Sequence, residues 1–101
     1  MGQRLQLHEV FADILETDNV YFQPPNNLKM QYPCIVYNLD DIDAEFADNT
    51  PYALTKRYSV TIIDRNPDTL LVKKIASLPM CIFNRFFTAD NLNHYVFLLH
   101  Y

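Results

Sequence analysis

Glycine is all but missing: Gly2 is the only one in 101 residues. Without glycines further along, the chain has no Gly-rich phosphate loop and no dinucleotide fingerprint, which removes most nucleotide-dependent enzymes. Tryptophan is absent, and Ser59 and Ser77 are the only serines. Neither serine lies in a nucleophile elbow, so no hydrolase triad is expected. Cys34 and Cys81 lack CxxC spacing, which disfavours a structural zinc site. Each lies in an apolar, strand-like run, so two core thiols are expected, with one disulfide between them as the alternative. No apolar stretch approaches the length of a membrane span. The first fifteen residues interrupt their apolar pattern with polar ones, so no signal peptide is expected. Gln6 stands where N-myristoylation would need Ser or Thr. The expectation is a soluble protein made in a cytoplasm.

What is present is apolar and aromatic. Half of the residues are hydrophobic, with seven Phe and seven Tyr. Such a chain folds by burial, and its length suits one domain, residues 1–101. The net charge of −4 is unevenly spread. Residues 1–50 hold nine acids against Arg4 and Lys29, a balance of −7, whereas residues 51–101 hold six bases against Asp64, Asp68 and Asp90, a balance of +3. An acidic chain with no basic tail is a poor nucleic-acid binder. Charges of opposite sign in the two halves suit either a solvated surface or complementary patches for self-association.

Hydrophobic periodicity gives the organisation. Leu7, Val10, Phe11, Ile14 and Leu15 recur at helical spacing from Gln3 to Glu16, and Thr17, Asp18 and Asn19 stop that helix. Val20 to Phe22 suits a short strand, and Pro24, Pro25, Asn26 and Asn27 a turn. Tyr32 to Leu39 is apolar on both alternating faces, as in a central strand, with Pro33 at its start. Asp40 to Pro51 carries five acids and no base and reads as an extended acidic loop. From Tyr52 to Asp64, Leu54, Tyr58, Val60 and Ile62 alternate with Thr55, Arg57, Ser59 and Thr61, so one strand face is core. Asn66 as N-cap, Pro67 at the first helical position and Leu70, Leu71, Ile75 and Leu78 as the apolar stripe predict a second helix ending before Pro79. Met80 to Phe87 and Asn93 to Tyr101 form a hairpin turning near Asp90 and Asn91. The fold class is therefore α+β: an antiparallel sheet with two helices packed on one face, in the order α-β-β-β-α-β-β.

Catalytic candidates are few. His94 and His100 share a strand face but stand about 20 Å apart at roughly 3.3 Å per residue, too far to hold one metal. Asp40, Asp41, Asp43 and Glu45 supply the oxygens that a hard cation takes, but not in the spacing of a calcium loop, and the glycine of that loop is absent. Phe83, Phe86, Phe87, Tyr95, Phe97 and Tyr101 could stack on bases, yet only Arg85 lies among them, so packing against helices and strands is the better reading. No enzyme activity, cofactor or metal is expected.

Residues Tyr32 to Tyr37, Ala47-Asp48-Asn49 with Tyr52, Arg57 to Asp68 with its Ile63-Asp64 ahead of Asn66-Pro67-Asp68, and Asp90 to His94 carry a family resemblance. In them the sequence resembles the small tail completion proteins of long-tailed bacteriophages, the tail terminator or head-to-tail joining family, over nearly its whole length. The resemblance implies an antiparallel sheet flanked by helices with a long loop between central strands. It also implies a virion role: a homo-oligomeric, hexameric ring that caps the tail tube and meets the head-tail connector protein, with DNA passing through it unread. No catalytic residue is implied.

The charge asymmetry adds an expectation about the ring. A head-to-tail interface joins two different patches, here Asp40, Asp41, Asp43, Glu45 and Asp48 on one subunit and Lys56, Arg57, Lys73, Lys74 and Arg85 on the next. Two other classes stand beside the virion protein. One is a small adaptor that binds a protein partner through a sheet edge or the acidic loop; the other is a metal-dependent enzyme using residues 40–48.

Overall fold

The computed structural model describes the backbone of residues 2–25, 28–47 and 50–101, and the side chains of these except residues 2–3, 43–47 and 50–55. The order is α1 (Gly2–Leu15), β1 (Val20–Phe22), β2 (Cys34–Ala47), β3 (Thr50–Asp64), α2 (Leu71–Ala76), β4 (Cys81–Ala89) and β5 (Leu92–His100). The five strands form one sheet in the order β1-β2-β3-β5-β4. It is antiparallel except at one edge, where β1 runs parallel to β2. The α+β class and the element order are as the sequence predicts, and the parallel β1 makes the sheet mixed. Among the described residues no helix is long and apolar enough to cross a membrane.

Both helices cover the same sheet face. Leu7, Phe11 and Leu15 of α1 and Leu71 and Ile75 of α2 meet Ile35, Tyr37, Tyr58, Val60, Ile62, Phe97 and Leu99 in the main core. The predicted phase of β3 holds at Tyr58, Val60 and Ile62, while the side chain of Leu54 lies outside the described residues. Burying each such side chain contributes about 1.5–3 kcal/mol, enough to set which face of every strand turns inward. Tyr37 is the centre of this core: Phe11, Phe22, His8 and Tyr58 surround its ring. Its hydroxyl accepts from Arg4 Nη1 at 3.4 Å and shares a 2.8 Å hydrogen bond with His8 Nδ1. A smaller cluster of Cys34, Ile63 and Leu92 lies on the opposite face, covered by Tyr21, Met30 and Tyr32.

Two boundaries move. The predicted second helix begins only at Leu71, because side chains capture the preceding backbone. Asp64 Oδ1 accepts from the Asn66 amide, Asn66 Oδ1 from the Asp68 amide and Thr69 Oγ1 from the Leu71 amide. These local bonds offer the chain a turn in place of a helix, which is how Asn and Asp compete with helical hydrogen bonding. The larger correction concerns the acidic stretch. Asp40 to Pro51 is not a loop: β2 runs on to Ala47 and β3 starts at Thr50. Ile42, Ala44 and Phe46 alternate with Asp41, Asp43 and Glu45, the period of a strand. A structureless connection of that length within so small a domain argues against its own assignment.

With a single glycine, left-handed backbone positions fall to other residues. Asp90 and Asn91 have φ 54° and 63° and form the tight two-residue turn between β4 and β5, where both central residues need positive φ. Glu16 takes φ 62° just after α1, a position glycine usually fills.

Candidate functional site

The β4 strand is the sheet's outer edge, paired with β5 alone among the described residues. Its register skips a residue between Phe83 and Arg85, a bulge that resets the alternation. Phe83 opposite Phe97 and Phe86 opposite Tyr95 therefore share the helix side, while Ile82, Arg85 and Phe87 take the other. Each ring meets a ring of β5: Phe83 meets Phe97 edge-on at 5.4 Å, Phe86 meets Tyr95 at 4.9 Å, and Phe87 stacks on His94 at 4.6 Å. Yet every residue of β4 after Cys81 is exposed, with Ile82 at 61%, Phe83 at 51% and Phe86 at 49%. The expectation that these aromatics are packed holds for Phe97 and is corrected for Phe83, Phe86 and Phe87. A strand apolar on both faces is the composition of a sheet interior, whereas native edge strands carry Lys, Pro or inward charges that block pairing. Arg85 is the only charge on β4, and the opposite edge is blunted by the three-residue β1.

The second feature is the long hairpin. On β2, β1 pairs only with Ile35 to Tyr37, and on β3, β5 pairs only with Arg57 to Asp64. Beyond those points the two strands continue as a two-stranded ribbon, residues 42–47 against 50–56. The molecule accordingly measures 51 by 24 by 23 Å. Two strands alone are marginally stable in water.

The charged candidates divide between these features. Asp40, Asp41, Lys56 and Arg57 lie at the base of the ribbon, where Arg57 Nε donates to Asp40 Oδ2 at 2.7 Å and Nη2 lies 3.8 Å from Asp41 Oδ2. Arg57 thus meets the acids within its own chain, in partly exposed pairs worth about 0–1 kcal/mol. Asp43 and Glu45 stand on the ribbon, in register with Thr55 and Ala53. Asp48 lies outside the described residues. Lys73 and Lys74 are exposed on α2, which packs beside β4, and the Arg85 guanidinium sits 5.2 Å from the centre of the Phe87 ring. The bases near β4 divide between the two faces of the sheet, Lys73 and Lys74 on the helix side and Arg85 on the other.

The chemistry offered elsewhere is sparse. Both cysteines are free. Burial, with a smaller push from Asp64, raises the Cys34 thiol to about 12, and burial raises Cys81 as well. Both therefore stay protonated near neutral pH, the form that is neither nucleophile nor ligand. Cys34 is a core thiol as expected, while Cys81 is only partly buried at the start of β4. Among the described residues no three His, Cys, Asp or Glu side chains gather as a metal site. An apolar hollow of about 250 Å³ lies between Leu7 and Val10 of α1, the Leu78-Pro79-Met80 turn and Leu99 of β5. It has almost no polar lining with which to orient a reacting group.

Sequence reasoning placed the charges and missed the exposed edge. The signal was available in Ile82, Phe83, Phe86 and Phe87, which occupy both alternating phases of a strand at the outer end of a hairpin. Against known proteins, no family model and no curated sequence matches the chain.

Proposed function

We propose that this chain is a non-enzymatic assembly subunit that joins copies of itself into a ring. The ring closes the end of a phage tail tube and joins it to the head-tail connector. The observation that carries the assembly reading is β4, an edge strand apolar on both faces and exposed along nearly its whole length. Leaving such a strand in water costs the burial of its aromatics and invites pairing with whatever strand it meets, so a lasting partner is what its composition suits. The projecting ribbon supports the same reading, since two strands alone are marginally stable in water and gain from a neighbour. The place in a virion rests on the sequence resemblance, including the Ile63-Asp64 and Asn66-Pro67-Asp68 pattern. An adaptor that adds a strand from a different protein to β4 is the second reading, and the same edge favours it.

Light scattering behind size-exclusion chromatography, with electron microscopy of the eluted particle, tests the proposal. A closed ring of about six copies, able to bind tail tubes purified without their terminal ring, is expected. A chain that is monomeric at every concentration would overturn the ring and leave the adaptor. A stable ring that ignores tail tubes would overturn the virion placement.

A further inference from the structure

We infer that the hollow between α1, the turn ahead of β4 and the end of β5 is a binding site for a small uncharged apolar molecule, the size of a benzene ring carrying a short alkyl chain.

The volume sets the size of the guest. The hollow holds about 250 Å³, whereas an apolar cavity of about 150 Å³ in another protein takes up benzene. There is room for the ring and several further carbons. The lining sets the polarity. Leu7 and Val10 of α1, Leu78, Pro79 and Met80 of the turn, and Leu99 of β5 present almost no polar surface. A water held there would need roughly two to four polar partners, more than these walls supply, so the space is poorly hydrated. An apolar guest gives the walls the dispersion contacts they lack and displaces no well-bonded water. A guest with a charge or a hydroxyl would bury that group without a partner.

The surrounding structure keeps the space from closing. Leu7 and Leu99 are each 1% exposed and belong to the main core, so packing holds them from behind. The turn is anchored at both ends, where the Leu78 amide donates to the Ile75 carbonyl at 3.0 Å and the His100 amide to the Met80 carbonyl at 3.1 Å. Pro79 fixes its own φ between them. Met80, 67% exposed, stands at the mouth, and its flexible thioether chain adapts to what enters. None of these walls is the outward edge of β4, so filling the hollow does not compete with strand pairing there.

The test uses the full chain, labelled with carbon-13 at its Leu, Val and Met methyl groups, and titrates it with benzene, toluene, ethylbenzene and n-propylbenzene. Shifts and intermolecular nuclear Overhauser contacts at Leu7, Val10, Leu78, Met80 and Leu99 are expected. Affinity should rise about fourfold per added carbon while the guest still fits, the ratio that ~0.8 kcal/mol of burial gives. Phenol, which has the shape of toluene with a hydroxyl in place of the methyl, should bind about tenfold or more weakly. Val10→Phe, which puts a ring into the space, should abolish the effects at Leu7 and Leu99 with the circular dichroism spectrum unchanged. Phe86→Ser on the open edge should leave them intact. Should Val10→Phe fail to fold, the titration of the unsubstituted chain decides by itself. Contacts confined to Phe83, Phe86 and Phe87, an affinity that falls at the first added carbon, or phenol binding as tightly as toluene would each overturn the site. Effects that vanish as the chain associates would give the hollow to a side chain of the neighbouring copy and overturn it as well.

Discussion

Ile62→Ala and Ile63→Ala are adjacent substitutions whose costs should differ because the two side chains point into different cores. Ile62 is fully buried on β3, with Ile35 across from it on β2 and Tyr95 on β5. Truncation removes three carbons, about 2.5 kcal/mol at ~0.8 kcal/mol each. The hole lies between helices and sheet in the larger cluster, where rigid neighbours collapse little, so a cavity penalty of up to about 2 kcal/mol adds to it. Ile63 sits in the smaller cluster, 5% exposed, beneath Tyr21, Met30 and Tyr32. The irregular segment holding Met30 and Tyr32 can settle into the space, which keeps the cost to about 1.5–2.5 kcal/mol. Thr61→Ala, half-buried between Val36 and Val96, should cost under about 1 kcal/mol. Because the chain has no tryptophan, urea unfolding is followed by circular dichroism or tyrosine emission at concentrations too low for association. A cost for Ile63→Ala equal to or above that for Ile62→Ala would refute the assignment of the main core to the helix side.

Three further outcomes follow from particular residues. Tyr37→Phe should cost only about 1 kcal/mol in the same unfolding assay, because His8 and Arg4 are partly exposed and recover water. Tyr37→Ala should cost about 4 kcal/mol, since the ring fills the centre of the core. Cys34 should resist alkylation at pH 8 until the protein unfolds. Burial holds its folded thiol near 12, against 9.0 for a thiol in water, so its stabilising effect is whole below pH 9 and lost as pH rises from there toward 12. The unfolding midpoint should therefore fall as pH rises above 9, less steeply in Cys34→Ala. Glu16→Gly should raise stability by up to about 1 kcal/mol in urea, because a left-handed φ of 62° costs a residue with a β-carbon that glycine lacks.

The helices and the inward faces of the strands were legible in the sequence because burial writes a period into it. Leu7, Phe11 and Leu15 mark α1, and Tyr58, Val60 and Ile62 mark β3, before any coordinate is known. The ribbon was obscured because Asp40, Asp41, Asp43, Glu45 and Asp48 outweigh Ile42, Ala44 and Phe46 in any reading that equates charge with loop. Asn66 was misleading in another way, as one side chain caps a helix or closes a turn according to where the preceding strand ends. The parallel pairing of β1 has no local signature at all, since it depends on which strand three residues happen to meet. For the candidate surface, the sequence identified the charged residues but not that Arg57 and Asp40 pair within one chain, a fact of register. It held the aromatics of β4 without revealing that Phe83, Phe86 and Phe87 stay exposed, because exposure is a property of the finished sheet.

Amide hydrogen exchange along β4 as a function of protein concentration tests the central claim most directly. In an isolated subunit the amides of Cys81–Ala89 that face away from β5 have no sheet partner and exchange quickly. The account expects those outward amides to become protected in step with the rise in mass measured by light scattering, and to lose that protection on dilution. Outward amides of β4 that exchange freely in a particle of full oligomeric mass would contradict it.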